Sequence, residues 1–219
     1  YAQVLEHDPA IPPHRREALA VIRRSGDHLA SLVDGLQDLA KIESGKLALE
    51  TAELRLPEFI DPLVSMFRLQ AQTRGVKFRH DIRGRLPAVV RADKKRLGQI
   101  LINILGNAVK FTARGEVHFD VHARRDMVDF AVRDSGPGIA AEDLERIFLP
   151  FERGPSAATT SQVGTGLGLS IARMLTNLMG GELRASSQAG VGSLFEVRLF
   201  LPEVRNPRPR SEPPPLDIS

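Results

Sequence analysis

Residues 94–111 read KKRLGQILINILGNAVKF, and this stretch decides the fold that we expect for the chain. Its apolar residues recur at helical spacing, which predicts an amphipathic helix with one face against a core. Those apolar residues are Leu97, Leu101, Ile104, Ala108 and Phe111. Asn103, Asn107 and Lys110 lie at i, i+4 and i+7 and form a second, polar face.

The polar face of this helix has two interpretations. Asparagine is a poor helix-interior residue, so two asparagines one turn apart indicate that their amide oxygens are used. An amide oxygen can ligate a hard cation such as Mg²⁺, and the lysine can meet phosphate oxygens. Taken alone, however, the same face fits an ordinary solvated helix surface.

The sequence Asp134-Ser135-Gly136-Pro137-Gly138 follows a predicted strand over Val128–Val132. Asp134 continues the parity of the apolar positions in that strand, so its carboxylate points toward the core side and needs hydrogen-bond donors there. Glycines at 136 and 138 permit close approach of the backbone to a flat ligand. The alternative is a plain β-turn, for which this sequence is also suitable.

A glycine-rich stretch, Gly164-Thr165-Gly166-Leu167-Gly168-Leu169, opens a predicted helix over Leu167–Met179. Free backbone N–H groups at such a helix start bind anions, typically phosphate. Neither the dinucleotide-binding fingerprint nor the Walker form is matched. Residues 154–163 before it are small and polar, as in a mobile flap. The alternative is a disordered loop that happens to precede a glycine-rich helix start.

Two aromatic residues, Phe148 and Phe151, bracket a proline in the segment Phe148–Arg153, just before the expected flap. They are predicted to form a hinge that packs against the base of the flap. The alternative is an ordinary hydrophobic anchor. Further helices are predicted from Pro57 to a stop at Gly75 and, as a short pattern, over 141–148. Alternating patterns around residues 76–82, 117–121, 128–132 and 195–201 predict strands. Together these elements predict an α+β fold in which helices cover one face of a sheet.

The N-terminal part of the chain has a different pattern. A long helix is predicted over His14–Ser44, with an a/d seam of apolar residues that needs a partner. The seam residues are Ile22, Leu29, Leu32, Leu36 and Leu39. Prolines at 9, 12 and 13 separate this helix from a short amphipathic segment at residues 1–6. Residues 46–56 are expected to be a connector. The proline-rich residues 205–219 are expected to be a tail or linker.

Composition excludes several classes of function. The 219 residues include no cysteine, which excludes disulfide scaffolds, thiolate zinc sites and thiol nucleophiles. No window approaches the length of apolar sequence that a membrane span needs, and no signal peptide is recognisable. The formal net charge is only +3, with basic and acidic residues interleaved and no tryptophan, which argues against a nucleic-acid partner.

In order and spacing, these motifs resemble those of the catalytic domain of sensor histidine kinases, in the wider family of gyrase, Hsp90 and MutL ATPases with the Bergerat fold. Asn103–Thr112 is similar to the N box, Asp134–Gly138 to the G1 box, Phe148–Arg153 to the F box and Gly164–Leu169 to the G2 box. The long helix, which ends in LAKIESGKL, is similar to the second helix of the dimerisation and phosphotransfer hairpin. The resemblance implies a two-layer α/β sandwich.

The resemblance also implies roles for individual residues. Asp134 would accept a hydrogen bond from the adenine amino group of ATP, and Asn107 would ligate the Mg²⁺ that bridges the phosphates. Asn103 and Lys110 would meet phosphate or metal-bound water and count as the catalytic side chains of this chain. The remaining nucleotide-binding positions would be Gly136, Gly138, Phe148, Phe151, Gly164, Thr165, Gly166, Leu167 and Gly168.

One position separates a kinase from an ATPase. ATPase relatives carry a glutamate that activates water four residues before the metal-binding asparagine, and here that position is Asn103, which cannot act as a base. This position favours transfer of the ATP γ-phosphate to a protein side chain over hydrolysis. The resemblance implies that the acceptor is a histidine and that the group is then relayed to a response-regulator aspartate. The alternatives are a non-catalytic dimeric nucleotide-binding module and, less favoured, a Bergerat-fold ATPase.

No box of the phosphoacceptor type surrounds His7, His14 or His28, so we expect the acceptor histidine upstream of Tyr1. The expected organisation is a partial hairpin at 1–49, an ATP-binding domain at 50–204 and a tail at 205–219. The expected partners are a second copy, through the hairpin helices, and a receiver domain that is separate or fused downstream. We expect this part of the protein to be cytoplasmic and to make no membrane contact. An inner-membrane anchor elsewhere in the parent protein is compatible with this expectation.

Overall fold

The computed structural model describes residues 12–152 and 166–207. Four helices are present in these ranges: α1 (Pro13–Glu43), α2 (Leu56–Thr73), α3 (Lys94–Phe111) and α4 (Gly168–Leu178). The strands are β1 (Ala52–Arg55), β2 (Lys77–Arg83), β3 (Val89–Ala92), β4 (Glu116–Arg124), β5 (Met127–Asp134), β6 (Glu182–Gln188) and β7 (Gly192–Phe200). Two short 3-10 turns, Ala141–Asp143 and Arg146–Phe148, lie between β5 and α4.

The main sheet has five strands in the order β2-β4-β5-β7-β6. Only β2 and β4 run parallel, and every other neighbouring pair is antiparallel. Helices α2, α3 and α4 pack on one face, where alternate strand residues are buried. Those residues include Val117, Phe119, Val121, Val128, Phe130, Val132, Phe195, Val197 and Leu199. The architecture is therefore the two-layer α+β arrangement that the sequence predicts, with β1 and β3 as a separate antiparallel pair.

Helix α3 has the bounds that its sequence pattern predicts. Asp93 caps its N-terminus, because the Oδ1 atom accepts a hydrogen bond from the Arg96 amide at 3.0 Å. The apolar stripe then faces the sheet, and Leu97 and Leu101 are fully buried. Burial of this stripe stabilises the helix and fixes the direction of its polar face.

The opposite face of the sheet carries charged side chains that pair across strands. Arg83 of β2 reaches Asp120 of β4 at 3.3 Å, and Arg198 of β7 reaches Asp129 of β5 at 2.6 Å. Exposed pairs of this kind add little stability, but they keep one face of the sheet polar. The sheet therefore has one apolar face under the helices and one polar face.

Three sequence-based expectations need correction. The expected connector at 46–56 contains strand β1, which pairs with β3 from Ala52 opposite Ala92 to Arg55 opposite Val89. Strands β3 and β6 were not expected, because one is only four residues long and the other, ELRASSQ, is too polar to show alternation. The predicted short helix over 141–148 is instead the pair of 3-10 turns.

The apolar seam of helix α1 divides into two parts, which corrects the expectation of one continuous seam. Ile22, Leu29 and Leu36 are exposed by 60%, 62% and 45%. Leu39 is buried, and Leu32 packs against the core of the sheet domain. Of these five residues, the first three therefore remain available to a partner, while the other two face the sheet domain.

Several expectations lie outside the described residues. They are the segment at residues 1–6, the flap at 154–163, and most of the proline-rich tail. Within residues 12–152 and 166–207, no helix combines the length and apolarity that crossing a membrane requires.

Candidate functional site

Asp134 ends strand β5 as a carboxylate that is only 9% exposed. Its Oδ1 atom accepts a hydrogen bond from the Gly136 amide at 2.9 Å. Burial is the largest influence and raises the pKa of Asp134, while hydrogen bonds from Gly136 and from the backbone and hydroxyl of Ser193 act in the opposite direction. The inward parity that the sequence predicts for this carboxylate is confirmed.

Ser193 is a residue of this site that sequence reasoning missed. It lies on β7 directly opposite Asp134 in the antiparallel register, is 8% exposed, and donates to the carboxylate. The signal that could have found it is the small pair Gly192-Ser193 before the apolar alternation of β7. That signal can be interpreted only when the pairing of β5 with β7 is known, because Asp134 and Ser193 are far apart in sequence.

The loop after Asp134 requires glycine at two positions. A Cβ at residue 136 would lie 2.8 Å from Asp134 Oδ1 and 3.2 Å from the Phe111 carbonyl oxygen. Gly138 has φ +68°, and a Cβ there would collide with the Gln188 carbonyl. The loop therefore approaches both the end of α3 and the β6–β7 hairpin closely, with its backbone uncovered by side chains.

The start of helix α4 lies against the polar face of α3. A Cβ on Gly168 would be 3.1 Å from Asn103 Oδ1, so the missing side chain lets the two helices approach. Helix α4 has no capping side chain at its N-cap residue, Leu167. Its first backbone N–H groups have no partner within the helix, which is the arrangement that favours an anion.

Phe148 and Phe151, which the sequence pairs in one motif, differ in environment. Phe148 is buried, packs edge-to-face on Phe195 with ring centroids 6.5 Å apart, and has the Arg173 guanidinium 5.0 Å above its ring. Phe151 is 55% exposed and has φ +66°. Its amide donates to the Gly166 carbonyl at 3.0 Å, which joins the ends of the segment that begins at residue 153 and ends at 165.

Asn107 and Lys110 occupy the rest of the polar face of α3, and both are half-buried, as is Asn103. The Lys110 ammonium lies 5.0 Å from the centroid of the Phe111 ring. The Gly136 loop touches the C-terminal end of this helix, and Gly168 touches Asn103. The structure thus brings the Asp134 loop to the C-terminal end of α3 and the start of α4 to Asn103 on its polar face, whereas Gly164 and Thr165 lie outside the described residues.

The histidines show what spacing along one strand cannot reveal. His118 Nε2 lies 2.7 Å from Asp81 Oδ2 and 3.5 Å from Asp120 Oδ1, because the parallel pairing of β2 and β4 brings these residues together. These three side chains could in principle hold a cation. Arg83 already lies 3.3 Å from Asp120, so the cluster carries its own positive charge and belongs with the ion pairs of the outer face.

The two other histidines whose side chains the structure describes, His80 and His122, have no comparable arrangement. His80 stacks on Phe119 at 5.1 Å between centroids, and His122 is exposed. His7 lies outside the described residues, and the side chains of His14 and His28 are not described either.

Comparisons with known proteins agree with this geometry. Residues 92–203 match the family of histidine kinase-, DNA gyrase B- and HSP90-like ATPases. The chain is 32% identical over 225 residues to the autoinducer 2 sensor kinase/phosphatase LuxQ of Vibrio cholerae, which covers 98% of this chain and 26% of that protein. It is 37% identical over 187 residues to the histidine protein kinase DivJ of Caulobacter vibrioides, over 84% of this chain and 30% of that protein.

A solved structure gives the same result in three dimensions. Full-length ShkA in complex with AMPPNP superimposes with a TM-score of 0.77 at 31% identity, over 93% of this chain and 42% of that one. The chain therefore belongs to the family of histidine kinase-, gyrase B- and HSP90-like ATPases, among the sensor histidine kinases. Its sheet and helices are the Bergerat fold of an ATP-binding domain, and it spans less than a third of the length of LuxQ or DivJ.

Proposed function

We propose that this chain is the ATP-binding catalytic part of a two-component sensor kinase, which transfers the γ-phosphoryl group of ATP to a histidine. From there the group would pass to an aspartate of a response-regulator receiver domain. The observation that carries the proposal is Asp134, a carboxylate buried at a strand end and held by N–H and O–H donors. It lies beside the helix whose polar face carries Asn103, Asn107 and Lys110.

The residues around Asp134 fit an adenine ring. A carboxylate has about four acceptor positions, so the donors from Gly136 and Ser193 leave it able to accept from an exocyclic amino group. The side-chain-free backbone at Gly136 and Gly138 leaves room for a flat ring to lie close to the loop. A buried carboxylate that retains an acceptor position is costly for stability alone, which favours a role in binding.

The polar face of α3 fits the phosphates and their cation. The Asn107 amide oxygen is a hard donor of the kind that Mg²⁺ accepts, with water and phosphate oxygens as its other ligands. When bound, Mg²⁺ would offset the charge of the β- and γ-phosphates. Lys110 supplies a positive charge on the same face, and the uncapped start of α4 supplies N–H donors near Asn103. Gly164, Thr165, Gly166 and Leu167 are proposed to complete this end.

Asn103 supports phosphoryl transfer to a protein side chain over hydrolysis. An amide cannot remove a proton from water, so the position where ATPase relatives carry a glutamate provides no base here. Its Oδ1 atom instead lies close to Gly168 at the start of α4, where Oδ1 can accept from metal-bound water and the amide nitrogen Nδ2 can donate to a phosphate oxygen. We therefore expect slow release of phosphate when no acceptor histidine is present.

The division of the chain and its assembly remain part of the proposal. Residues 1–49 would form part of a hairpin, 50–204 the ATP-binding domain and 205–219 a tail or linker. The exposed residues Ile22, Leu29 and Leu36 would pack against a second copy of the chain in a helical bundle. The acceptor histidine would lie on the hairpin helix that pairs with α1.

The test is a calorimetric titration of ATP into the chain with and without Mg²⁺. We expect saturable binding that tightens with Mg²⁺, and the tightening should be lost in Asn107→Ala but kept in Asn177→Ala, an exposed asparagine on α4. In the parent protein, label from γ-³²P-ATP should enter an acid-labile, base-stable phosphoamide. Absence of ATP binding would refute the proposal, and binding without transfer in the parent would favour the non-catalytic module.

A further inference from the structure

The side chain of Ser187 occupies a junction that no motif of the sequence covers. It lies near the end of β6, opposite Ser193 of β7 in the antiparallel register. Its hydroxyl oxygen accepts a hydrogen bond from the Ile139 amide at 2.8 Å. It also lies 2.8 Å from the Gly192 carbonyl oxygen and 3.0 Å from Ser193 Oγ. One half-buried hydroxyl thus joins the loop after Asp134 to both strands of the β6–β7 hairpin.

The direction of these hydrogen bonds follows from the chemistry of their ends. An ionised Asp134 can only accept, so Ser193 is the donor in the hydrogen bond between its hydroxyl and that carboxylate. The Gly192 carbonyl can likewise only accept, and it lies nearer to Ser187 Oγ than Ser193 Oγ does. Ser187 therefore donates its one proton toward the Gly192 carbonyl and Ser193 Oγ, and its lone pairs accept from the Ile139 amide. Ser187 thus ties the loop at Ile139 to the two β7 residues that lie beside Asp134.

We propose that Ser187 is a positioning residue for Asp134, which fixes the carboxylate so that one acceptor position faces a purine 6-amino group. The inference rests on the function proposed above and adds a determinant of purine specificity outside the four motifs. Ser187 acts on both supports of Asp134: it holds Gly192 and Ser193 of β7, and it holds the loop of residues 135–139 through Ile139.

The packing around this junction shows why a small shift there would reach the site. A Cβ on Gly138 would collide with the Gln188 carbonyl, and a Cβ on Gly192 would collide with the Asp134 carbonyl. The Gly190 amide donates to the Pro137 carbonyl at 2.7 Å. Loop and hairpin are thus in backbone contact, so the orientation of Asp134 depends on how they are held together.

The test compares the affinities of ATP and inosine triphosphate, which carries an oxo group in place of the 6-amino group. A site that is built to accept from the amino group discriminates strongly against the analogue. We expect Ser187→Ala to lower the affinity for ATP about 5-fold while the affinity for inosine triphosphate changes little. The preference for ATP should therefore fall, Ser187→Thr should restore most of it, and Ser186→Ala, at an exposed neighbour, should leave it unchanged.

A second measurement needs no nucleotide. Amide hydrogen exchange followed by NMR should show faster exchange at Ile139 and Gly136 in Ser187→Ala than in the unmodified chain or in Ser186→Ala. The inference is overturned if both triphosphates lose affinity in parallel, which indicates loss of structure only, or if the preference for ATP does not change. If the unmodified chain binds neither triphosphate, the proposed function itself fails, so the two failures can be told apart.

Discussion

Two aspartates, a half-buried one at the junction of α1 with α3 and a buried one at the end of β5, are held in opposite ways. Asp38 on α1 is 15% exposed, and its two carboxylate oxygens lie 2.9 Å from Arg96 Nη1 and 2.7 Å from Gln99 Nε2 of α3. The described residues offer Asp134 N–H and O–H donors but no ion pair within 4.0 Å. The first carboxylate is neutralised within the chain, whereas the second retains its charge and an acceptor position for a ligand.

The difference separates a structural carboxylate from a functional one. A buried ion pair that also satisfies its hydrogen bonds holds two elements in a fixed relation, and removing one partner is costly. A buried carboxylate without a cation lowers the stability of the protein, because burial disfavours the charged form. We therefore expect substitution of Asp38 to lower stability more than ligand binding, and substitution of Asp134 to lower ligand binding more than stability.

The largest effect is expected for Asp134→Asn on nucleotide affinity. Loss of a charge-assisted hydrogen bond should weaken ATP binding about 10- to 100-fold, as measured by calorimetry. Asp129→Asn is the matched control, since Asp129 lies on the same strand but on the outer face, paired with Arg198 at 2.6 Å. Equal ATP affinities in Asp134→Asn and Asp129→Asn would remove the distinction drawn between the two carboxylates.

The next effect is expected for Asp38→Asn on stability. Loss of the charge opposite Arg96 should lower the free energy of unfolding by about 1–2 kcal/mol, as measured by urea denaturation. Asp34→Asn, one turn earlier at an exposed position, should change it by less than about 0.5 kcal/mol. ATP affinity should stay within about twofold in both variants, since neither residue lies at the nucleotide site. A stable Asp38→Asn protein with impaired ATP binding would reverse the assignment.

A smaller effect tests the apolar part of the same junction. A Cβ on Gly35 would lie 3.1 Å from Leu167 Cδ1 and 3.2 Å from Ile171 Cδ1 of the α4 region, whereas one on Gly26 would meet nothing within 4 Å. Gly26→Ala should therefore stabilise the chain by about 0.5–1 kcal/mol through helix propensity. Gly35→Ala should raise the thermal unfolding temperature less than Gly26→Ala does, because the side chains of Leu167 and Ile171 must shift to make room for the new methyl group. An equal gain would show that α1 and α4 are not in close contact.

Sequence alone predicts the amphipathic helices and the end of β5 well. Helix α3 is defined by a strong apolar repeat and by the Asp93 cap, and Asp134 continues the alternation of its strand, so both are determined by local pattern. The same pattern locates the polar face of Asn103, Asn107 and Lys110. These features need no knowledge of which elements are neighbours.

What sequence cannot show is contact between distant segments. Asp38 and Arg96 are 58 positions apart, and Asp134 meets Ser193 only because β5 pairs with β7. Strand β6 is too polar to be recognised, and so Ser187 was missed with it. The division of the α1 seam likewise depends on α1 lying beside α4, which leaves Leu39 buried within the chain and Leu29 exposed.

The smallest expected effect is the pH dependence that Asp134 contributes to the free energy of unfolding. Burial raises the folded-state pKa of Asp134 above its ordinary value of 3.8, so the folded protein binds this proton more tightly than the unfolded chain does. The stabilisation from Asp134 is therefore complete below pH 3.8 and is lost as the pH rises through the raised value. The side chain of Asp134→Asn does not titrate. As the pH rises from about 4 to 7, the free energy of unfolding of this variant should therefore increase relative to that of the unmodified chain. Urea denaturation at several pH values measures this difference, and a change of the opposite sign would mean that the hydrogen bonds from Gly136 and Ser193 outweigh burial.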